Sequence, residues 1–308
     1  MMLINKIIGI TVGADLSALG GCSDIPLHMF ICIIWPLRRL VGKKSRLIRM
    51  DLQNKIAVIT GGGRGIGRAI ALAYAREGAN LVLASRSQEA LEETRRMVEE
   101  LGSKALAVPT DIRQEESVRN LAEQALGHFG RVDILVNNSG IAGPTAPLWN
   151  ITLADWEETF AVNVTGAYLC CRAFLPGMIE QRSGSIIIIS SMTGKRPLYG
   201  RTPYAGSKLA LVGIARTLAW EVGSYGIRVN VISPGAVEGE RIERVVRNQA
   251  AAQGISEEEA LRQFTSGSPL GRLVPPGDIA AAAIFLASDR AASITGEDLN
   301  VSAGTVMY

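Results

Sequence analysis

The chain has 308 residues, of which 47% are apolar and 20% charged, and it contains 33 glycines. This composition excludes a disordered chain, a collagen-like chain and a charged coiled coil, and the length fits one α/β domain of about 250 residues with an appendage. The net charge is +3, but residues 1–50 hold seven Lys/Arg and two Asp, so residues 51–308 sum to −2. The larger part of the chain gives no electrostatic reason to expect nucleic-acid binding.

Cysteine and histidine are scarce in the larger part of the chain. Of the four cysteines, only the adjacent pair Cys170 and Cys171 lies beyond residue 50, which predicts no disulfide framework and favours a reducing, cytoplasmic compartment. The two histidines are too few for a His/Cys zinc site or a Ser-His-Asp triad, and we expect no bound metal. We interpret His128 as a helix-end or surface residue.

Residues 1–49 differ from the rest of the chain. An apolar run over 25–37 is interrupted by prolines and followed by basic residues, whereas about 20 apolar residues are needed to cross a bilayer and a secretory signal has its charge first. Three interpretations remain: a membrane-surface anchor, a poorly ordered extension, or translation that begins at Met50. We favour the third, and expect one domain over 50–308 and membrane contact only if residues 1–49 are present and anchoring.

From residue 55 onward, short β-branched runs alternate with amphipathic helical stretches. The patterns predict strands over 55–60, 80–84, 104–108, 132–137, 185–190, 228–232 and 298–301. They predict helices over 65–78, 87–101, 114–129, 154–182, 202–223, 240–264 and 276–288. This alternation, with nearly continuous apolar strands, predicts an α/β fold: a doubly wound parallel sheet of the Rossmann type with helices on both faces.

A glycine-rich turn connects the first predicted strand to the first predicted helix. Glycine lets the backbone approach a pyrophosphate closely, and the charge of the pyrophosphate meets N–H groups at the helix N-terminus. The spacing therefore predicts a dinucleotide site, and the alternative is a purely structural turn. The residues expected to contact the coenzyme here are Gly61, Gly63, Arg64, Gly65, Ile66 and Gly67.

The end of the second strand indicates which dinucleotide is bound. An acid that would bind the ribose 2′-hydroxyl of NAD is expected about 20 residues after the glycine-rich turn. Ser85 and Arg86 stand there instead, and Arg64 lies in the turn. Because a cation suits a 2′-phosphate, we expect NADP(H) to be preferred, with NAD(H) as the alternative coenzyme. The other interpretation of Arg86 is a solvated loop residue.

Two polar segments follow the third and fourth strands, at the rim where open α/β sheets bind ligands. Asp111 follows the third strand, where it could accept a hydrogen bond from an adenine amino group or cap the next helix. Asn137, Asn138, Ser139 and Gly140 follow the fourth strand.

Ser191, Tyr204 and Lys208 form the most specific constellation. Ser191 closes a buried strand at the same rim, and Tyr204 and Lys208 are four residues apart, so a helix places them on one face. Thr202 could cap that helix, and Pro203 suits its first turn. A nearby ammonium favours phenolate, which makes Tyr204 a candidate general acid/base, and Ser191 could hydrogen-bond a substrate oxygen.

From about Leu52 to the C-terminus, the chain resembles the short-chain dehydrogenase/reductase family. The resemblance rests on the glycine-rich turn over 60–67, Asp111, the segment 137–140, Asn163, Ser191, Tyr204 with Lys208, and Pro234 with Gly235. It implies that Tyr204 exchanges the proton, that Ser191 orients the carbonyl or hydroxyl, and that Lys208 binds the nicotinamide ribose and lowers the pKa of Tyr204. Asn163 would hold a water in a proton relay.

The resemblance also extends the expected coenzyme site. Asp111 would touch the adenine, and the backbone after Pro234 and Gly235 would meet the carboxamide. The expected contacts beyond the glycine-rich turn are Ser85, Arg86, Asp111, Ile112, Asn138, Tyr204, Lys208, Pro234, Gly235 and Val237.

The chain departs from the family pattern in two places. Ser139 stands where Ala is usual, and Gly239 stands near the position where many members have a carboxamide-capping Thr. The segment 238–272 corresponds to a variable helical substrate lid. Its arginines Arg241, Arg244 and Arg247 suit an anionic substrate or, as we prefer, a solvated helical face.

The sequence therefore predicts a cytoplasmic NADP(H)-dependent oxidoreductase that interconverts a carbonyl and a secondary alcohol. A 3-oxoacyl thioester is the first substrate hypothesis, and a sugar, polyol or xenobiotic ketone is the second. The resemblance further implies a homotetramer in which the helices of Asn163 and Tyr204 pack between subunits. A rival hypothesis is a catalytically idle, nucleotide-sensing protein on the same fold.

Overall fold

The computed structural model describes residues 50–308 and shows one seven-stranded sheet. Its strands are β1 (Ile56–Thr60), β2 (Asn80–Ser85), β3 (Ala105–Pro109), β4 (Ile134–Asn137), β5 (Gly184–Ile189), β6 (Ile227–Pro234) and β7 (Asp298–Val301). Their order is β3-β2-β1-β4-β5-β6-β7, and every pairing is parallel. The order reverses between β1 and β4, which confirms the predicted doubly wound sheet.

Helices cover both faces of the sheet. They are α1 (Gly65–Arg76), α2 (Gln88–Glu100), α3 (Glu115–Phe129), α4 (Leu153–Phe160), α5 (Gly166–Gln181), α6 (Thr202–Val222), α7 (Glu240–Gln253), α8 (Glu257–Thr265) and α9 (Pro276–Ala287). Apolar side chains of α3, α5 and α6 pack on one face, and those of α1, α2 and α9 pack on the other. Burial on both faces explains why the strands are nearly continuous apolar runs.

Two predicted long helices are interrupted. The stretch 154–182 consists of α4 and α5 joined by the π-helical Ala161–Thr165. The stretch 240–264 consists of α7 and α8, because Gly254 takes a left-handed conformation (φ 67°) that ends α7, and the Ser256 side chain then accepts a hydrogen bond from the backbone N–H of Glu259 and caps α8. His128 lies in the last turn of α3, as predicted.

The carboxyl ends of the central strands meet at one rim. In the parallel register, Ile59 pairs with Val136, and Ile189 pairs with Ile232. The turn after β1, the segment after β4, the serines after β5 and the end of β6 therefore lie side by side. β1 and β4 are buried along their whole length, and β5 and β6 at all but one residue each, so this rim has a rigid base.

None of the helices formed by residues 50–308 is long and apolar enough to cross a membrane. The expectations for residues 1–49 concern a segment outside the described residues.

Candidate active site

The glycine-rich turn after β1 forms a cradle whose shape depends on glycine. Gly61 has a φ of 68°, and a Cβ on Gly67 would lie 2.2 Å from the carbonyl oxygen of Gly61. At Gly65 a Cβ would meet nothing within 4 Å, so the cradle is open there. α1 begins at Gly65 after an exposed Arg64 that gives no side-chain cap, and its first turn holds no acidic residue. The free backbone N–H groups at the start of α1 and the positive charge of Arg64 fit a pyrophosphate.

Thr60 and Asn138 hold the cradle against the end of β4. The Asn138 side-chain amide donates to the carbonyls of Thr60 (2.8 Å) and Gly61 (3.3 Å). The Thr60 hydroxyl oxygen accepts hydrogen bonds of 3.0 Å from the backbone N–H groups of Asn138 and Ser139. The Asn138 amide therefore positions the turn, and its predicted contact with the coenzyme stays a prediction. The contribution of Thr60 was missed.

Arg68 braces the other side of the turn. Its guanidinium donates to the Gly63 carbonyl through Nε (3.0 Å) and Nη2 (2.6 Å) and pairs with Glu93. The Thr94 hydroxyl also donates to the Gly63 carbonyl, at 3.3 Å. Arg68 is not among the predicted site residues, although its position as a basic residue in the first turn of α1 can be read from the sequence.

Arg86 and Asp111 lie near each other at the ends of β2 and β3. Arg86 is exposed and Ser85 half-buried. The Arg113 guanidinium donates to both Asp111 oxygens and, together with the nearby charge of Arg86, holds the pKa of Asp111 below its ordinary value. The helix-cap interpretation of Asp111 is wrong, because α3 begins at Glu115 and the cap position is Gln114.

The remaining residues predicted to contact the coenzyme lie in different parts of the fold. The Ile112 side chain is buried against Gly166, where an added Cβ would lie 2.4 Å from Ile112 Cδ1. Pro234 ends β6, and Gly235 packs so closely that a Cβ would lie 2.8 Å from Ser302 Cα. Val237 pairs with the backbone of Val274 beneath the lid.

Ser191, Tyr204 and Lys208 come together where β5 ends and α6 begins. Lys208 is 2% exposed, and its Nζ donates to the Ile189 carbonyl at 2.8 Å and lies 5.9 Å from the centroid of the Tyr204 ring. The Ser190 hydroxyl donates to the Lys208 carbonyl at 2.8 Å, which fixes α6 to the strand end. The Ser191 hydroxyl oxygen accepts a hydrogen bond from its own turn, at the backbone N–H of residue 193.

The start of α6 differs from the prediction in one detail. Thr202 is the first residue of the helix and does not cap it, since Arg201 occupies the cap position without a side-chain cap bond. Pro203 lies in the first turn, as predicted.

Asn163 lies in the π-helical segment, and its side chain is fully engaged. Its Oδ1 accepts from the backbone N–H of Ile141 (2.8 Å), and its Nδ2 donates to the Ile141 carbonyl (3.1 Å) and the Ser207 hydroxyl (3.0 Å). A Cβ on Gly140 would lie 3.0 Å from Asn163 Oδ1 and 3.3 Å from Lys208 Nζ. Asn163 and Lys208 therefore face each other across Gly140.

Comparison with known proteins supports one family for this arrangement. Residues 61–306 match the family described as enoyl-(acyl carrier protein) reductase. A 3-oxoacyl-[acyl-carrier-protein] reductase FabG of Chlamydia muridarum is 35% identical over 82% of this chain and 98% of its own length. A D-threitol dehydrogenase of Mycolicibacterium smegmatis is 38% identical over 82% of this chain and 93% of its own length. The chain belongs to the short-chain dehydrogenase/reductase family.

A solved structure agrees with this assignment. NAD+-bound xylitol dehydrogenase superposes with a TM-score of 0.80 at 31% identity, covering 82% of this chain and 99% of that one. This short-chain dehydrogenase/reductase has Ser139 where the family usually has Ala. The backbone N–H of Ser139 still donates to the Thr60 hydroxyl, so the serine leaves the cradle intact. Gly239 begins the lid with a φ of 121° and offers no hydroxyl there.

In this short-chain dehydrogenase/reductase, burial and neighbouring charges shift the pKa values of Tyr204 and Lys208. Burial lowers the pKa of Lys208 to about 8, against the opposing effect of Tyr204. Burial raises the pKa of Tyr204, whereas the charges of Lys208 and Arg241 lower it. A hydrogen bond from Ser191 and the charge of Arg201 act in the same direction, so the pKa of Tyr204 lies below its ordinary value.

The lid contributes a cation to the site. Arg244 and Arg247 are exposed, as the solvated-face interpretation predicts. Arg241 is also exposed, but its Nη2 donates to the Gly140 carbonyl at 2.7 Å and bridges the lid to the segment after β4. A cavity of about 340 Å³ lies between the lid and the turn after Ser191; it is lined by Met192, Thr193, Arg196, Pro197, Leu198, Gln263, Phe264 and Ser266.

Proposed function

We propose that the chain is an NADP(H)-dependent oxidoreductase that interconverts a carbonyl and a secondary alcohol. The observation that carries this proposal is the meeting of Ser191, Tyr204 and Lys208 at the rim that also holds the glycine cradle. A bound nicotinamide would supply or accept the hydride. The chain's own residues then have to bind the coenzyme, orient the substrate and move one proton.

Tyr204 is the proton donor in the reducing direction and the acceptor in the oxidising direction. Its lowered pKa brings the phenol nearer to neutral pH, which is where an acid/base group works best. Ser191 hydrogen-bonds the substrate oxygen as charge develops on it. Lys208, held by the Ile189 carbonyl, supplies the positive charge beside the phenol and binds the nicotinamide ribose.

Asn163 is assigned to the proton relay. Its bonds to Ile141 and Ser207 fix the side chain, and it faces Lys208 across Gly140. A water held there would connect Lys208 to solvent and return the proton to Tyr204 after each turnover. The presence of Ser191, Tyr204 and Lys208 together argues against the rival hypothesis of an idle nucleotide sensor.

Arg86→Asp is expected to move coenzyme preference toward NADH. The exposed guanidinium at the end of β2 suits a 2′-phosphate, whereas a carboxylate would repel the phosphate and accept a hydrogen bond from a 2′-hydroxyl. The similar xylitol dehydrogenase structure holds NAD+, so the ratio of kcat/KM for the two coenzymes is the deciding measurement. Arg96→Gln, which removes an exposed cation from α2, is the control. An unchanged ratio in Arg86→Asp would contradict the 2′-phosphate assignment.

The substrate is proposed to be a 3-oxoacyl thioester, with a sugar, polyol or xenobiotic ketone as the second candidate. One relative is a 3-oxoacyl-[acyl-carrier-protein] reductase and another a D-threitol dehydrogenase, so the relatives favour neither class alone. The cavity beside Ser191 is lined by the lid, which is the part that would select the substrate. The test is a screen of thioesters, sugars, polyols and cyclic ketones with purified protein, following NADPH absorbance. Turnover of none of them would contradict the oxidoreductase assignment.

We further propose a cytoplasmic homotetramer whose subunits meet along α5 and α6. Leu209 and Trp220 lie three helical turns apart on one face of α6, and they are 52% and 92% exposed. Tyr168 on α5 is 50% exposed. Large apolar side chains left in water on neighbouring helices are typical of a subunit interface.

Trp220→Glu is therefore expected to dissociate the assembly, because it places a charge in an apolar contact. Analytical ultracentrifugation should give a mass near four chains for the natural sequence and a smaller species for the variant. Trp220→Phe, which stays apolar, should keep the assembly. A natural chain that sediments as a monomer would contradict the proposal.

Residues 50–308 are proposed to form the catalytic domain, and Met50 is proposed as the natural start. The intact mass of the protein from its host tests this directly. A mass that includes residues 1–49 would overturn the proposed start, and salt-washed membrane fractions would then show whether those residues anchor the protein.

A further inference from the structure

A buried arginine, Arg201, lies against the proposed proton-transferring residue. It is 3% exposed, and its guanidinium carbon lies 4.8 Å from the centroid of the Tyr204 ring. Nη2 donates to the Ala142 carbonyl at 2.7 Å, and Nη1 donates to the Thr145 hydroxyl at 3.3 Å. Arg201 therefore links the segment after β4 to the first turn of α6.

The charge of Arg201 has no carboxylate to balance it within residues 50–308. Its partners are a carbonyl, a hydroxyl and an aromatic ring, and its buried Nε has no hydrogen-bond partner in that part of the chain. By contrast, the partly buried Lys195 pairs with Asp298 at 2.8 Å. Because a buried and unpaired positive charge is unfavourable, it would stabilise the negative form of a neighbouring group that can lose a proton. Tyr204 is that neighbour.

The groups that face Tyr204 come from four elements. They are Lys208 on α6, Arg241 at the start of α7, Ser191 after β5 and Arg201 before α6. None of them is acidic. Arg241 is exposed, so solvent and salt screen its charge, whereas Arg201 acts from the protein interior. Burial lowers the pKa of Arg201 and the nearby Tyr204 raises it, which is the reciprocal effect expected of a coupled pair.

We propose that Arg201 is a positioning residue that holds the Tyr204 ring in place and stabilises its phenolate together with Lys208. The inference rests on the proposed function of Tyr204 and adds a second, buried cation to it. The aromatic face and the hydrogen bonds to Ala142 and Thr145 fix the guanidinium, so its charge stays at a constant distance from the ring.

The first test measures Tyr204 without turnover. The ultraviolet absorbance of phenolate is titrated in the full chain, and subtracting the Tyr204→Phe titration isolates Tyr204 from the other tyrosines. Arg201→Met, which keeps the bulk but not the charge, should raise the pKa of Tyr204, and Arg201→Lys, which keeps the charge, should bring that pKa back toward its value in the natural chain. Arg96→Gln removes a remote, exposed cation and should leave the titration unchanged.

The second test follows the reaction in the oxidising direction against pH. Since this direction needs phenolate, kcat falls as pH drops through the pKa of Tyr204. The fall should begin at a higher pH in Arg201→Met, by the same amount as in the titration, with a smaller change in coenzyme KM. If Arg201→Met does not fold, Arg201→Gln removes the same charge while keeping a donor for Ala142.

A Tyr204 titration that is the same in the natural chain, Arg201→Met and Arg201→Gln would overturn this proposal, whatever the activity of the variants. If instead Tyr204→Phe remained fully active while Arg201→Met still moved the titration, the proposed function of Tyr204 would fail and the charge coupling would stand. The two failures are therefore distinguishable.

Discussion

Tyr204→Phe is expected to lower kcat by about 10²–10⁴-fold, because it removes the hydroxyl that is proposed to transfer the proton to and from the substrate oxygen. Coenzyme affinity should change little, because the glycine cradle after β1, rather than the Tyr204 hydroxyl, is proposed to bind the pyrophosphate. The phenyl ring keeps its contact with the Arg201 guanidinium, so the loss would come from the hydroxyl alone. Single-turnover hydride transfer and NADPH fluorescence titration measure the two quantities separately.

Tyr225→Phe is a matched control. Tyr225 lies beyond the far end of α6 and contacts Arg182, so the same loss of one hydroxyl should leave kcat unchanged. Retention of full kcat in Tyr204→Phe would remove Tyr204 from the mechanism. Loss of coenzyme binding in the same variant would mean that the ring also shapes the coenzyme site, which would separate structural damage from chemical loss.

The sequence is enough to predict the sheet and the positions of Ser191, Tyr204 and Lys208. Strand β5 ends in a buried run of four isoleucines, and α6 places Tyr204 and Lys208 about one turn apart. The local sequence pattern is therefore enough to predict both the strand and this pair. Parallel strands then bring their carboxyl ends together without any further information. For this reason the sequence predicts that Ser191, Tyr204, Lys208 and the glycine-rich turn lie at one rim.

Contacts between segments distant in sequence could not be predicted in the same way. By local rules Asp111 suits a helix cap, but α3 begins only at Glu115. The Asp111 carboxylate is bound by Arg113, and Arg113 in turn pairs with Glu158, which lies far from it in the sequence. Asn163 lies in a π-helical segment, and its side chain bonds to Ile141 and Ser207. No helix propensity encodes a partner 22 or 44 residues away.

Specificity depends on still more distant arrangements. The cavity beside Ser191 is formed by a turn after β5 and by α8, and the lid divides at Gly254 rather than running as one helix. All three lid arginines are exposed, but only Arg241 donates a hydrogen bond to the Gly140 carbonyl, whereas Arg244 and Arg247 make no such contact within residues 50–308. A charge pattern along one helix therefore cannot distinguish an arginine in the site from an arginine in solvent.

Gly67→Ala is expected to weaken coenzyme binding by about 100-fold, because the charge-assisted hydrogen bonds of the cradle each contribute about 1.5–3 kcal/mol and the added methyl would displace them. The Cβ would lie 2.2 Å from the Gly61 carbonyl oxygen and 2.6 Å from the Asn138 side-chain nitrogen. Both atoms belong to the contacts that hold the turn against β4, so the turn itself has to move.

Gly127→Ala on α3 provides the control, because its Cβ would meet nothing within 4 Å and its backbone is helical. That change should stabilise the fold by about 0.5–1 kcal/mol through helix propensity and leave coenzyme affinity alone. In Gly63→Ala the new Cβ would lie 3.0 Å from the Ala90 side chain, so the loss of coenzyme affinity should lie between those of Gly67→Ala and Gly127→Ala. Fluorescence titration with NADPH, together with thermal unfolding, separates a damaged cradle from a damaged fold. Natural affinity in a folded Gly67→Ala would show that the coenzyme phosphates do not lie on this turn.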